Sequence, residues 1–421
     1  MKKFSALLIV ALMICLAAVP AFAGSNDDVV KAASLDYLFE VAPAEINNGI
    51  EMRGFTANPD GTSVYGGFLQ GGRYVVRFDL DGNVTGSYKP ESTDNELYCK
   101  GLTVDDRGNL FVGITHAGHS DIAIAAVDSE MKQVGYLSED LGVTKTGING
   151  VDVQKIGDKY YLYVVTAYDS DTVRCYDVTD PAKITLNKSF ATSGILDIPA
   201  LTGADKDASY IAVDDEGIIY LTYLKSSAGF SKGSHVAKIS ADGKELIKEA
   251  AVREAYGICE ANDYVFVATF DGKNSCVHVL NKSDLSEVTT LKYEEQFDNL
   301  SDVAYGGDAL FVGDHGDGAS TAGLFLKADM KFAEPAADTE PEESSTPATE
   351  SQPAEESQPA EESKPAEESK PAEESTEKPA ETEAPTPAQP SNPTTADASI
   401  IAIAAVACVA LAGVVIAKKV K

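Results

Sequence analysis

Two short runs carry side chains of the types that bind metal ions: Thr115-His116-Ala117-Gly118-His119-Ser120-Asp121 and Gly313-Asp314-His315-Gly316-Asp317. Zinc is disfavoured. His-x-x-His on a loop lacks the helical spacing of His-Glu-x-x-His, and five histidines in the whole chain leave few second-layer partners. Calcium, which takes oxygen ligands, is better served by Asp121, Asp271, Asp314 and Asp317, although aspartates in loops also act as turn formers. No G-x-S-x-G elbow, P-loop or dinucleotide fingerprint occurs, so nothing points to an elbow serine or a nucleotide.

These runs sit inside a repeat. Gly54-Phe-Thr-Ala-Asn-Pro-Asp-Gly, Gly101-Leu-Thr-Val-Asp-Asp-Arg-Gly, Gly150-Val-Asp-Val and Tyr210-Ile-Ala-Val-Asp-Asp-Glu-Gly begin four units. Gly257-Ile-Cys-Glu and Ser301-Asp-Val-Ala begin two more, and the starts are 47, 49, 60, 47 and 44 residues apart. Each unit reads as four short strands with Gly-bearing tight turns, often Asp-Gly (Asp60-Gly61, Asp81-Gly82, Asp242-Gly243). Four strands at a period in the forties predict an all-β, six-bladed β-propeller over residues 24–332. The run Leu35 to Val41 precedes the first unit and is expected to close the ring as the outer strand of the last blade, covering an edge that would otherwise invite aggregation.

In such a ring the innermost strands start around the central channel. Glu51, Arg53, Lys100, Asn149, Ser209, Tyr256, Asn299 and Asp302 stand at or just before those starts and are the candidate ligand-binding residues. Two insertions, Thr192 to Asp207 and Leu224 to Ser234, fall on the same face and suggest a lid or recognition ridge.

The G-ψ-x-V-D-x-x-G-ψ-ψ-y-V rhythm (ψ apolar), clearest at Gly101 to Gly113 and Tyr210 to Thr222, resembles NHL-type six-bladed propellers; with no Trp these are not WD repeats. The resemblance speaks to fold more than to function, because propellers host binding and several chemistries alike. Lactonase-type propellers hold calcium in the channel through Glu, Asn and Asp. Glu51, Asn149, Asn299 and Asp302 match that set in residue type, which implies a possible calcium-dependent hydrolase.

The ends of the chain carry addressing signals. Lys2 and Lys3, an apolar core from Ala6 to Ala18 and Pro20-Ala21-Phe22-Ala23 read as a signal peptide (1–23) cleaved after Ala23. Residues 333–399 form a Pro/Ala/Glu/Ser-rich stalk in which Ser-(Gln/Lys)-Pro-Ala-Glu-Glu recurs at Ser351, Ser357, Ser363 and Ser369. With no aromatic or large aliphatic residue it cannot bury a core, and its extended reach is at most on the order of 200 Å. Residues 400–417 are uniformly apolar or small, a helix of roughly 27 Å that just spans a bilayer. The basic tail, 418–421, is expected in the cytoplasm. Asn392-Pro393-Thr394-Thr395-Ala396 ahead of that helix resembles the cell-wall sorting signal of Gram-positive surface proteins, which implies sortase cleavage after Thr395 and linkage to peptidoglycan. The alternative is a plain membrane anchor.

Residues 24–332 carry 26 lysines and arginines against 48 aspartates and glutamates, a net −22, which excludes nucleic acid as a partner. Cys99, Cys175, Cys259 and Cys276 are expected as buried free thiols. The sequence thus predicts a surface-anchored extracellular binding propeller for a protein or carbohydrate partner. The alternatives are the calcium-dependent hydrolase and a structural surface component without a specific ligand.

Overall fold

Asp105 builds the turn that opens the second sheet. Its Oδ1 accepts from Arg107 N (3.0 Å) and Asn109 N (2.8 Å), and Gly108 takes φ 82°. Asp79 does the same for Asp81 N and Asn83 N beside Gly82 at φ 83°. A side-chain acceptor before a glycine free to be left-handed folds the chain back on itself, and the apolar, β-branched runs on either side then pair.

A computed structural model describes residues 25–46, 50–69, 75–90, 97–116, 119–203, 206–225, 233–293, 299–317 and 320–332. The chain divides into two units, Met1–Glu340 and Pro341–Lys421, and all described residues belong to the first. The signal peptide, stalk, sorting motif, apolar run and basic tail lie outside the described residues. Among the described residues no helix is long and apolar enough to cross a membrane.

Six antiparallel sheets follow one another along the chain. Their inner strands, Ile50–Ala57, Leu97–Val104, Thr146–Ile156, Lys206–Val213, Ala255–Ala261 and Leu300–Gly306, touch in sequence, and the last touches the first. The protein is a six-bladed β-propeller. Asp36–Val41 pairs with Gly323–Asp329 as the outer strand of the sixth blade, so the ring closes with a strand from before the first blade. The last unit begins one residue later than the repeat suggested: Asp302 pairs with Gly313 as Gly101 pairs with Gly113, after an irregularity between Leu300 and Asp302.

The apolar core is not central. It is split into six wedges, each filling the seam between adjacent blades. In the closing seam Phe325 stacks on Phe39 (4.4 Å) and lies near Phe78 (5.4 Å) and Phe55 (5.8 Å).

Within the first insertion, residues 192–203 are more ordered than a free loop. Ile195–Asp197 adds to Thr172–Arg174 at the rim of blade three, and the short helix Ile198–Thr202 follows, capped by Asp197 Oδ1. Ala191 N donates to Asp242 O (2.9 Å), tying the preceding residues to blade four. Within the other insertion, residues 226–232 lie outside the described residues.

Candidate functional site in the central channel

An inner strand has one edge without a sheet partner, and its amides and carbonyls face the channel. Side chains from neighbouring blades satisfy them. Asp152 Oδ2 accepts from Val213 N (2.7 Å), Gln154 Nε2 donates to Val213 O (3.2 Å), and Asn149 Nδ2 donates to Ala208 O (2.7 Å).

One equivalent position within the inner strands of four blades is glycine: Gly54, Gly101, Gly150 and Gly257. A Cβ at Gly54 would lie 2.6 Å from Lys100 O, and one at Gly150 2.8 Å from Tyr210 Cα. Glycine therefore permits the tight approach of successive strands at this level. The exceptions are Tyr210 and Asp302, and both reach into the channel. Tyr210 belongs to blade four, opposite blade one, and its hydroxyl donates to Arg53 O (2.9 Å) with only 2% of the residue exposed. It spans the waist and separates two unlike ends.

Toward the hairpins that end the inner strands lies a cavity of about 770 Å³, lined among others by Thr103, Asp152, Cys259, Glu260, Lys282 and Asp302. Asp152 bridges blades, because its Oδ1 also accepts from Thr103 Oγ1 (3.2 Å). Burial pushes its carboxyl up to about 7 against the pull of the Val213 amide, and the nearby Glu260 adds to the rise. Burial also holds Asp302 well above the ordinary carboxylate range, although its Oδ1 accepts from Val303 N (2.8 Å) and Ile258 N (3.2 Å). Glu260 is raised by burial even though Lys282 Nζ is ion-paired to it; Lys282 also lies 3.8 Å from Asp214 Oδ2. The cavity therefore favours cations or hydroxyl groups.

A carboxyl with a raised native pKa is protonated in the folded chain where the unfolded chain has already ionised it. The stability from that proton is full below about pH 4 and is lost as pH rises through about 7. Asp152→Asn keeps an oxygen acceptor for Val213 N and removes the titration. It is expected to flatten the fall in Tm between about pH 4 and 7, read by calorimetry on both proteins. Parallel curves would show that Asp152 titrates normally.

At the other end, beyond Tyr210, the residues read as strand starts gather. Lys100 Nζ donates to Asn149 Oδ1 (2.8 Å) and sits 5.4 Å from the Tyr256 ring and 6.0 Å from the Tyr210 ring. Arg53 Nη2 donates to Glu51 Oε2 (2.5 Å). Tyr256, Phe270 and His315 form an aromatic run with centroids 5.0 and 4.8 Å apart. Burial, with Arg53 and Lys100 nearby, lowers the His315 pKa to about 2, so the imidazole is neutral.

Of the eight candidates, Arg53, Lys100, Asn149 and Tyr256 surround this opening, and Glu51 pairs with Arg53. Asn299 Oδ1 accepts from Gly272 N (2.9 Å), Ser209 is buried, and Asp302 lies on the cavity side of the waist. The lactonase-like calcium set does not fit. Arg53 occupies Glu51, Lys100 occupies Asn149, and Asp302 is tied to two amides, so two cations stand where a third would have to bind. The other calcium candidates are apart: Asp271 pairs with Arg253 (3.0 Å), Asp121 faces His119 (3.7 Å), Asp314 accepts from Gly316 N, and Asp317 from Ser320 N. Among the described residues no three His, Cys, Asp or Glu converge as a metal site. All four described cysteines are free, Cys259 being the one partly open, and burial drives its thiol well up, away from thiolate chemistry.

Asp152, Glu260 and Tyr210 were not among the candidates, and His315 was weighed only as a metal ligand and not as a channel residue. The repeat does flag two of them: Asp152 stands where the other blades have Thr56, Thr103, Ala212, Cys259 and Ala304, and Tyr210 stands where four blades have glycine.

No protein-family model matches the chain, and no curated protein matches it in sequence. Solved structures similar to it include the PQQ-bound aldose sugar dehydrogenase from Streptomyces coelicolor (15% identity, 70% of this chain and 98% of that one, TM-score 0.48). Others are the RRP9 WD40 repeats (11%, 70% and 97%, 0.45) and the WD40 propeller domain of Doa1 (10%, 71% and 99%, 0.43). Likeness at this level carries no functional argument.

Proposed function

We propose that this protein is an extracellular binding propeller, NHL-like in its repeat, that takes a glycan in its acidic channel cavity. The observation that carries the reading is a cavity of about 770 Å³ walled by Asp152, Asp302 and Glu260. Carboxyl groups whose pKa values burial raises offer acceptors when ionised and donors when protonated to sugar hydroxyls, and Leu102 and Val151 line the same space for the apolar face of a ring. A net −22 tolerates neutral and amino sugars and repels polyanions. Display at a Gram-positive surface follows from the signal peptide, stalk and anchor of the sequence, with either sortase linkage after Thr395 or retention by the 400–417 helix.

The test is calorimetric titration with neutral and amino oligosaccharides. Asp152→Asn and Glu260→Gln are each expected to weaken binding about tenfold or more, the loss of one charge-assisted hydrogen bond. Affinity that ignores both variants yet falls when residues 192–203 are trimmed would sink the cavity reading and favour a protein partner on the insertion-bearing face. The raised carboxyls also favour a second reading, a hydrolase using Asp152 and Asp302 as acid and base. Product release from the bound sugar would select it, and loss of that activity on chelation would restore the calcium-dependent form.

A further inference from the structure

We propose that the insertion-bearing end of the channel is a separate anion site that receives a small carboxylate. Every blade contributes one residue to its wall: Arg53, Lys100, Asn149, Tyr210, Tyr256 and His315 in chain order. In a domain of net −22, two cations from adjacent blades meet around one opening, and both keep part of their surface open. A cationic pair in an acidic protein is a local reversal of charge that folding alone does not demand.

Two nitrogens in this wall are buried and lack any hydrogen-bond partner: Arg53 Nε and His315 Nε2, with His315 only 4% exposed. Leaving a buried polar group unpaired is unfavourable, and Arg53 Nε is always a donor. The arrangement is thus incomplete as it stands, and what Arg53 lacks is an acceptor.

Glu51 shows which acceptor fits. Its carboxylate already sits on Arg53, and Glu51 adopts φ 52°, a left-handed backbone that a non-glycine residue takes only under constraint. It acts as an internal stand-in for an external carboxylate. A dianion is less suited, because His315 stays neutral and supplies no third charge. The Tyr256 and Phe270 rings beside Lys100 favour a carboxylate with an apolar or aromatic body.

The experiment is calorimetric titration of the propeller with acetate, phenylacetate and inorganic phosphate at constant ionic strength, with chloride as the reference salt. Phenylacetate should bind more tightly than acetate, and phosphate more weakly than either. Lys100→Met should weaken phenylacetate about tenfold or more. Glu51→Gln should strengthen it, because the internal competitor loses its charge. Phosphate binding as tightly as phenylacetate, an unchanged affinity in Lys100→Met, or weaker binding in Glu51→Gln would each overturn the assignment. The opposite signs expected for two neighbouring variants separate this site from general destabilisation, and neither bears on sugar binding in the cavity.

Discussion

Tyr210→Ala is expected to lower the unfolding free energy by about 3–5 kcal/mol, the range for truncating a large buried aromatic. The side chain is 2% exposed, packs in the seam between blades four and five, and spans the channel to Arg53 O. Truncation leaves a void at the narrowest level and strips the donor from a carbonyl on the unpaired edge of blade one. Tyr210→Phe removes only the hydrogen bond and is expected to cost about 1 kcal/mol. Urea unfolding of the three proteins separates the two contributions. Equal losses in both variants would mean that the hydroxyl alone matters and that the ring does not fill the waist.

Deleting residues 25–41 is expected to abolish cooperative folding. The deletion removes the outer strand of blade six, uncovers Gly323–Asp329 along its whole edge, and takes Phe39 out of the cluster with Phe325 and Phe78. An uncovered apolar edge is a template for another chain, so the truncated protein should elute as soluble aggregate in size-exclusion chromatography. The milder Phe39→Ala should stay monomeric and lose about 3–5 kcal/mol in urea unfolding. A monomeric truncation with an unchanged midpoint would show that closure contributes nothing.

The ring was legible in the sequence because its signal is repeated. Asp-Gly turns and β-branched runs recur in each unit, and one unmatched strand at Leu35 to Val41 left a single place for it to go. The start of the last blade was misplaced by one residue because Ser301-Asp302-Val303 lacks the glycine that marks Gly54 or Gly101, and an irregular pairing shifts the register there. The channel residues were only half legible. Strand starts identify side chains near an opening, which is why Arg53, Lys100, Asn149 and Tyr256 were found together. They do not reveal depth. Asp152 lies two residues beyond Gly150, in the middle of its strand, and its raised pKa depends on burial among blades whose contacting residues are 49 and 61 positions away. Lys282, which partners Glu260, arrives from a third strand and carries no mark in the local sequence. The calcium expectation rested on residue types alone, and paired cations are invisible to residue type.

The aromatic septum at the waist has a kinetic meaning. A solute crossing from one end to the other must pass the Tyr210 ring and its hydrogen bond to Arg53 O, so that one side chain governs exchange along the axis. Residence times on the two sides should then be set independently, one by its acids and one by its bases, as in two cups standing base to base.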